Sequence, residues 1–219
     1  KNKKDVNALV NFDIKIPKRT AMKFGGNGKI KFIKSATAPE QFPESSCPEI
    51  AIVGRSNAGK SSFINAVFNT RIAKVSGTPG KTTLLNFFSV SGGTYQIVDM
   101  PGYGYAARSA SEVRSWRPMV ETYFSLRASL VGMILVMDIR RDWTAQEQDL
   151  VDWVAQKELD TIVVLTKADK LTRNHQFQAQ AKIKKASGLK NVFCISSSKK
   201  TGLQEVEEFF FEEWIRGDD

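Results

Sequence analysis

The stretch GRSNAGKSS at positions 54–62 sets two glycines ahead of a lysine and two serines. Gly54 and Gly59 permit a turn tight enough to wrap a phosphate. The backbone N–H groups of Arg55, Ser56, Asn57 and Ala58 would point into that turn, and a helix starting near Lys60 would add its positive end. Lys60 has the length to reach β- and γ-phosphate oxygens, and the hydroxyl of Ser61, with Ser62 beside it, suits Mg²⁺. A second cluster is DMPG, Asp99, Met100, Pro101 and Gly102. Asp99 would hold the metal through a water, while the Gly102 N–H would meet the terminal phosphate. Asp-x-Pro-Gly is also ordinary turn chemistry; its place one hairpin downstream of the phosphate loop favours the metal-side reading. A third is TKAD, Thr166, Lys167, Ala168 and Asp169. Asp169 can accept hydrogen bonds from both N1–H and the exocyclic amine of guanine, a donor pair that adenine lacks. Lys167 would lie along the base, and the backbone of Ile195, Ser196 and Ser197 would face the guanine carbonyl. A threonine hydroxyl is still needed to complete the Mg²⁺ shell, and VSGTPGKTTLLNFF offers Thr78, Thr82 and Thr83 without spacing to choose among them.

Such residues work together only if strands deliver them to one edge of a sheet. Apolar runs alternate with helix-period segments from Glu49 onward, which predicts an α/β fold: a mixed, mostly parallel sheet with helices on both faces, as in P-loop NTPases of the Ras-like kind. EIAIVG (49–54), VGMILVMD (131–138), TIVVLTK (161–167) and NVFCISS (191–197) read as buried strands, and KSSFINAVF (60–68) as a helix. LLNFFSV (84–90) and TYQIVDM (94–100), joined through Ser91, Gly92 and Gly93, read as an antiparallel hairpin at a sheet edge. SEVRSWRPMVETYFSLR is helical in period despite Pro118.

The chain has 219 residues and a formal net charge of +9. Residues 1–34 hold ten Lys or Arg against Asp5 and Asp13, so nearly all the excess lies there. They are expected to form a flexible basic arm, residues 35–48 a linker, and residues 49–219 one domain. A basic arm suits a polyanion such as nucleic acid. No apolar run is long enough for a membrane span, and the N-terminus lacks a secretory apolar core, so a cytoplasmic protein is expected. Cys47 and Cys194 have no metal-site spacing and read as reduced thiols; His175 reads as a surface side chain.

GRSNAGKSS, TPGKTTLLNFF, VDMPGYGYA, TKAD and ISSSKKTG together resemble the EngB (YsxC/YihA) GTPases of bacteria, within the Era-like branch of translation-factor-related G proteins. The resemblance runs from about Phe42 to Trp214. It implies a Mg²⁺-dependent protein that hydrolyses GTP to GDP and phosphate, a monomer, serving late assembly of the large ribosomal subunit through rRNA or ribosomal proteins, and normal division and septation. It selects Thr82 as the metal-side threonine and Gly80, Lys81, Thr82, Thr83 and Leu84 as the first switch, with Lys60, Thr82 and Gly102 as the catalytic groups. Thr83 stands where the family usually has Gln, and Ile195 where Phe is common.

Ras-like proteins orient the attacking water with a glutamine just after the DxxG loop. Tyr103 stands there, so slow intrinsic turnover is expected. Asn57 occupies the position that ligates K⁺ in related potassium-dependent G proteins, where a fixed cation could replace an arginine finger. Tyr103, Tyr105, Arg108, Arg114 and Arg117 combine stacking faces with cations, as RNA readers do. A G protein acting directly on a division or envelope protein without RNA contact is the alternative; an RNase-insensitive pulldown would favour it.

Overall fold

A computed structural model describes residues 30–44, 47–73, 84–103 and 110–216, with the side chains of 110–117 excluded. Seven strands form one sheet: β1 (Ile30–Ala36), β2 (Glu49–Gly54), β3 (Leu85–Val90), β4 (Tyr95–Asp99), β5 (Leu130–Asp138), β6 (Asp160–Thr166) and β7 (Val192–Cys194). The helices are α1 (Lys60–Val67), α2 (Ala110–Leu126), α3 (Ala145–Ala155), α4 (Arg173–Ser187) and α5 (Leu203–Phe210), the last continuing as a π-helical turn, Phe211–Arg216. Strand order is β1-β3-β4-β2-β5-β6-β7; β4, β2, β5, β6 and β7 are mutually parallel, and β3 runs against both of its neighbours.

Because side chains alternate across a strand, β2 sends Ile50 and Ile52 to one face and Ala51 and Val53 to the other. Each set meets a separate core. Ile50 and Ile52 pack with Phe63, Ile64 and Phe210 of α1 and α5. Ala51 and Val53 pack with Tyr123, Phe124, Val151 and Ile183 of α2, α3 and α4. All four β2 residues are fully buried, as expected of a central parallel strand covered on both sides.

The α/β architecture is as expected, with two corrections at one margin. Residues 30–36, divided by the expected boundary between arm and linker, form β1 and pair antiparallel with β3. The hairpin β3–β4 is therefore interior, and β1 is the edge. Residues 1–29 of the expected arm lie outside the described residues. Pro118 sits within α2, which runs on continuously. His175 is exposed on α4, Cys47 is buried and Cys194 is half-buried.

A buried pair locks the linker to this sheet. Glu49 opens β2 with no exposure, and its carboxylate accepts from Tyr123 Oη at 2.5 Å and Arg127 Nε at 3.1 Å, with Arg127 Nη2 on its other oxygen. Arg127 Nη1 donates to the Pro43 carbonyl at 2.9 Å. One guanidinium thus joins the end of α2, the start of β2 and the segment ahead of it.

Candidate nucleotide site at the strand ends

Strand order reverses at β2, whose neighbours lead away to β4 on one side and β5 on the other. In open α/β sheets the crevice at such a reversal, at the carboxyl ends of the strands, is where ligands bind. GRSNAGKS leaves β2 at that point, DMPG leaves β4, and TKAD and ISS leave β6 and β7.

The first loop turns on Asn57 and Gly59, both left-handed with φ of 64° and 98°. Gly59 also needs to be small: a Cβ there would stand 3.2 Å from Thr166 Oγ1. The Thr166 hydroxyl is buried and lies 2.6 Å from the Ala58 carbonyl and 3.1 Å from that of Met137, so it braces the loop from beneath. That corrects the expectation that Thr166 faces a ligand. Ser56 N–H donates to the Tyr103 carbonyl at 3.0 Å and Ala58 N–H to that of Arg55 at 3.0 Å, so these two do not point into the turn. The first N–H groups of α1, from Lys60 to Ser62, precede the first turn bond, Phe63 N–H to the Gly59 carbonyl, and are the kind of donors that bind an anion. Lys60 Nζ lies 3.4 Å from the Gly54 carbonyl, folded back over the loop. Ser61 and Ser62 are half-buried in the first turn.

Gly102 rests against this loop. A Cβ there would come within 2.9 Å of Ser56 N and Cα and 3.3 Å of Lys60 Nζ, so no side chain fits. Asp99 is buried, and among the described residues nothing pairs with its Oδ1. Burial pushes its carboxyl up to about 6, with Lys60 pulling part of the way back. A buried, unpaired carboxylate oxygen within reach of the Lys60 charge fits the second shell of a hydrated divalent cation. Thr82, with Gly80, Lys81 and Thr83, lies outside the described residues. Leu84 is half-buried just before β3.

Asp169 Oδ1 accepts from Ser196 Oγ at 2.6 Å, and this bond, foremost, holds its carboxyl below the usual carboxylate range. Ser196 Oγ lies 3.1 Å from Ser198 Oγ and accepts from Lys199 N–H at 3.1 Å. Ile195 is fully buried; its N–H bonds Leu165 and its carbonyl accepts from Ala168 N–H. Ser196 N–H bonds Thr201. Of the three residues expected to offer backbone contacts to a base, Ile195 and Ser196 have their N–H groups committed to the protein. Of the three, Ser197 is left with an N–H for that role.

Lys167, itself left-handed, sends its ammonium to Asp138 Oδ2 at 2.9 Å and to the Asn57 carbonyl at 3.0 Å. Asp138 was not singled out from sequence, although it ends an apolar strand where the other site residues stand. Burial alone would raise its carboxyl; hydrogen bonds from Arg140 and Lys167 outweigh that and hold it well below the usual range. Arg140 grips it from both Nε and Nη2, at 2.9 and 2.6 Å.

Tyr103 is buried, and its hydroxyl donates to Glu147 Oε1 at 3.0 Å. It therefore offers no stacking face to RNA, which corrects that expectation, and its ring sits in the core beneath α2 and α3. Glu147 is fully buried at the start of α3, accepts from Thr144 N–H at 3.1 Å and from its hydroxyl, and lies 3.5 Å from Arg55 Nη1. Arg55 thus turns toward α3. Tyr105 and Arg108, and the side chains of Arg114, Arg117 and Trp116, lie outside the described residues.

The family described as 50S ribosome-binding GTPase matches residues 49–167. A probable GTP-binding protein EngB of Bdellovibrio bacteriovorus is 54% identical over 187 residues, which is 85% of this chain and 93% of that one. The chain belongs to the EngB family of GTP-binding proteins. A second EngB, from Alkaliphilus metalliredigens, is 42% identical over 82% of this chain and 90% of its own length. Among solved structures, a probable GTP-binding protein EngB has a TM-score of 0.63 at 21% identity, covering 77% of this chain and 98% of that one. Era in complex with MgGDPNP and nucleotides 1506–1542 of 16S ribosomal RNA has a TM-score of 0.63 at 20% identity, covering 79% and 58%, a likeness of fold. As a member of the EngB family this protein is a GTPase. Among the described residues no helix is long and apolar enough to cross a membrane.

Proposed function

We propose that this GTPase is a cytoplasmic switch that engages the large ribosomal subunit or its precursor while GTP is bound and leaves after hydrolysis. Normal division and septation follow from that assembly role. The observation that carries the reading is the match over residues 49–167 to a family described as ribosome-binding, on a chain whose basic excess suits RNA.

In this reading Lys60 and the first turn of α1 neutralise the β- and γ-phosphates. Ser61, Asp99 through a water, and Thr82 would hold Mg²⁺, which would supply charge neutralisation on the transferring phosphoryl group. Gly102 N–H senses the γ-phosphate, because its Cα lies close enough to the phosphate loop to admit no Cβ. Asp169, held by Ser196, reads guanine, with Ser197 N–H on its carbonyl. Tyr103 is tied to Glu147 and cannot orient water, so turnover is slow until another group completes the site. Asn57 would ligate K⁺ in that role, which predicts faster hydrolysis in K⁺ than in Na⁺; equal rates with and without subunits would remove the cation from the mechanism.

Co-sedimentation with purified large subunits tests the switch. Pelleting with a non-hydrolysable GTP analogue, weakened by salt and absent with GDP, is expected. Pelleting in neither state would overturn the ribosomal reading and redirect attention to an envelope or division partner.

A further inference from the structure

Residues 170–204 contain eight Lys or Arg and no Asp or Glu. Residues 35–219 as a whole carry 22 basic and 21 acidic residues, so this stretch holds over a third of the bases and none of the acids. Its centre is α4, where Arg173, Lys182, Lys184 and Lys185 are all exposed. The buried side of α4 is short of apolar residues: Ile183 enters the core, Ala179 packs against it, and Gln180 bonds the Val192 carbonyl at 2.5 Å. The exposed side carries what a solvated helix has no reason to keep. Phe177 is 69% exposed, the most exposed large apolar side chain among the described residues.

Helical spacing puts Arg173, Phe177, Ala181 and Lys184 in one stripe, with Lys185 beside its end. The aromatic ring thus stands between cations. Lys182 is held by Asp142 at 2.6 Å in an exposed pair, which leaves the stripe's own cations with no acidic neighbour on their helix. A flat ring flanked by guanidinium and ammonium groups on a helix that has no acidic residue of its own matches the chemistry of RNA: a phosphate backbone for the cations and an unstacked base for the ring. A protein partner would be drawn by apolar area, and Phe177 is alone in that respect on this helix.

We infer that the Arg173–Phe177–Lys184 face of α4 is an RNA-docking surface, with Phe177 stacking on a base and Arg173, Lys184 and Lys185 on phosphates. The surface lies next to the base-reading loop. Gln176 Nε2, on the same helix, donates to the Ala168 carbonyl at 2.8 Å and the Leu171 carbonyl at 3.0 Å, so RNA held here sits one hydrogen bond from TKAD. The inference rests on the ribosomal reading for its source of RNA, but its test stands apart from it.

The full chain, loaded with a non-hydrolysable GTP analogue, is titrated with protein-free large-subunit rRNA and, separately, pelleted with intact large subunits. Phe177→Ala is expected to weaken rRNA binding roughly 5- to 100-fold, and Phe177→Tyr to restore it. Lys184→Glu with Lys185→Glu is expected to weaken it about tenfold at low salt and to make log K against log salt shallower by about 1 to 2. Unchanged binding of a fluorescent GDP shows that each variant is folded. Wild-type rRNA affinity in both variants, or no rRNA binding by the parent chain, overturns the inference. Loss of subunit pelleting with rRNA affinity unchanged would assign the face to a ribosomal protein and also overturn it. If the parent chain fails to pellet with subunits in either nucleotide state while its rRNA affinity still responds to Phe177, the surface stands and the ribosomal switch falls.

Discussion

At the scale of single residues, the site depends on a few polar groups whose partners differ from those that sequence implied. Asp169→Asn replaces one carboxylate oxygen by an amide that opposes the guanine N–H donors. GTP binding should weaken by about 100-fold or more, since two charge-assisted bonds are at stake, and xanthosine nucleotides should be gained; a competition titration with labelled nucleotide reads both. Asp138→Asn tests the other carboxylate. Its native carboxyl is held well below its unfolded value near 4, so the stability it contributes is present in full above that value and is lost progressively as pH falls from there through the depressed native value. The wild-type advantage in Tm over the variant should therefore be full at pH 7 and shrink steadily as pH falls below about 4. The phosphate loop, DMPG and TKAD were legible because their chemistry constrains neighbouring residues in the chain. Glu147 was not, because its partner is far away in sequence: Tyr103 and Glu147 are 44 positions apart. Nor was Asp138, whose near neighbour Arg140 holds it but whose tie to the site runs to the distant Lys167. Nothing local to Tyr103 distinguishes a ring aimed at phosphate from one turned into the core.

At the scale of elements, the central parallel strands announced themselves through apolar runs, and EIAIVG matched β2 from end to end. β1 did not. Its residues IKFIKSA alternate lysine with apolar groups, and most are exposed, as suits an edge strand protected by charge. With both sides of the strand open to water, no one-faced pattern separates it from a basic tail. What ties the sheet to its surroundings is the Arg127–Glu49 pair. Arg127→Met would leave a fully buried carboxylate with Tyr123 alone and should cost about 3–5 kcal/mol in chemical denaturation. Adding Glu49→Gln should recover part of that loss, because an amide tolerates burial better than an unpaired charge. A loss unchanged in the double variant would mean that Arg127 acts through its contact with Pro43 and the rings of Phe42 and Phe87.

At the scale of the whole molecule, the pocket draws on loops from β2, β4, β6 and β7, so a bound nucleotide ties both halves of the sheet together. GDP with Mg²⁺ at a hundred times its Kd should add about 2.7 kcal/mol to stability. For a domain of this size that is a rise in Tm of about 5–10 °C by scanning calorimetry. A chelator should take back part of the rise, because Asp99 Oδ1 would again be buried without a partner. A rise indifferent to chelation would separate Asp99 from the metal.

The ammonium of Lys167 reaches from Asp138 to the carbonyl of Asn57 and so spans from the base-reading loop to the phosphate loop. Both ends of that span belong to the protein, so the distance between the two loops is kept when the guest departs. An emptied pocket of this kind does not have to be rebuilt before it is refilled. The identity of the next guest is then decided by relative affinity and supply together, as at any standing site.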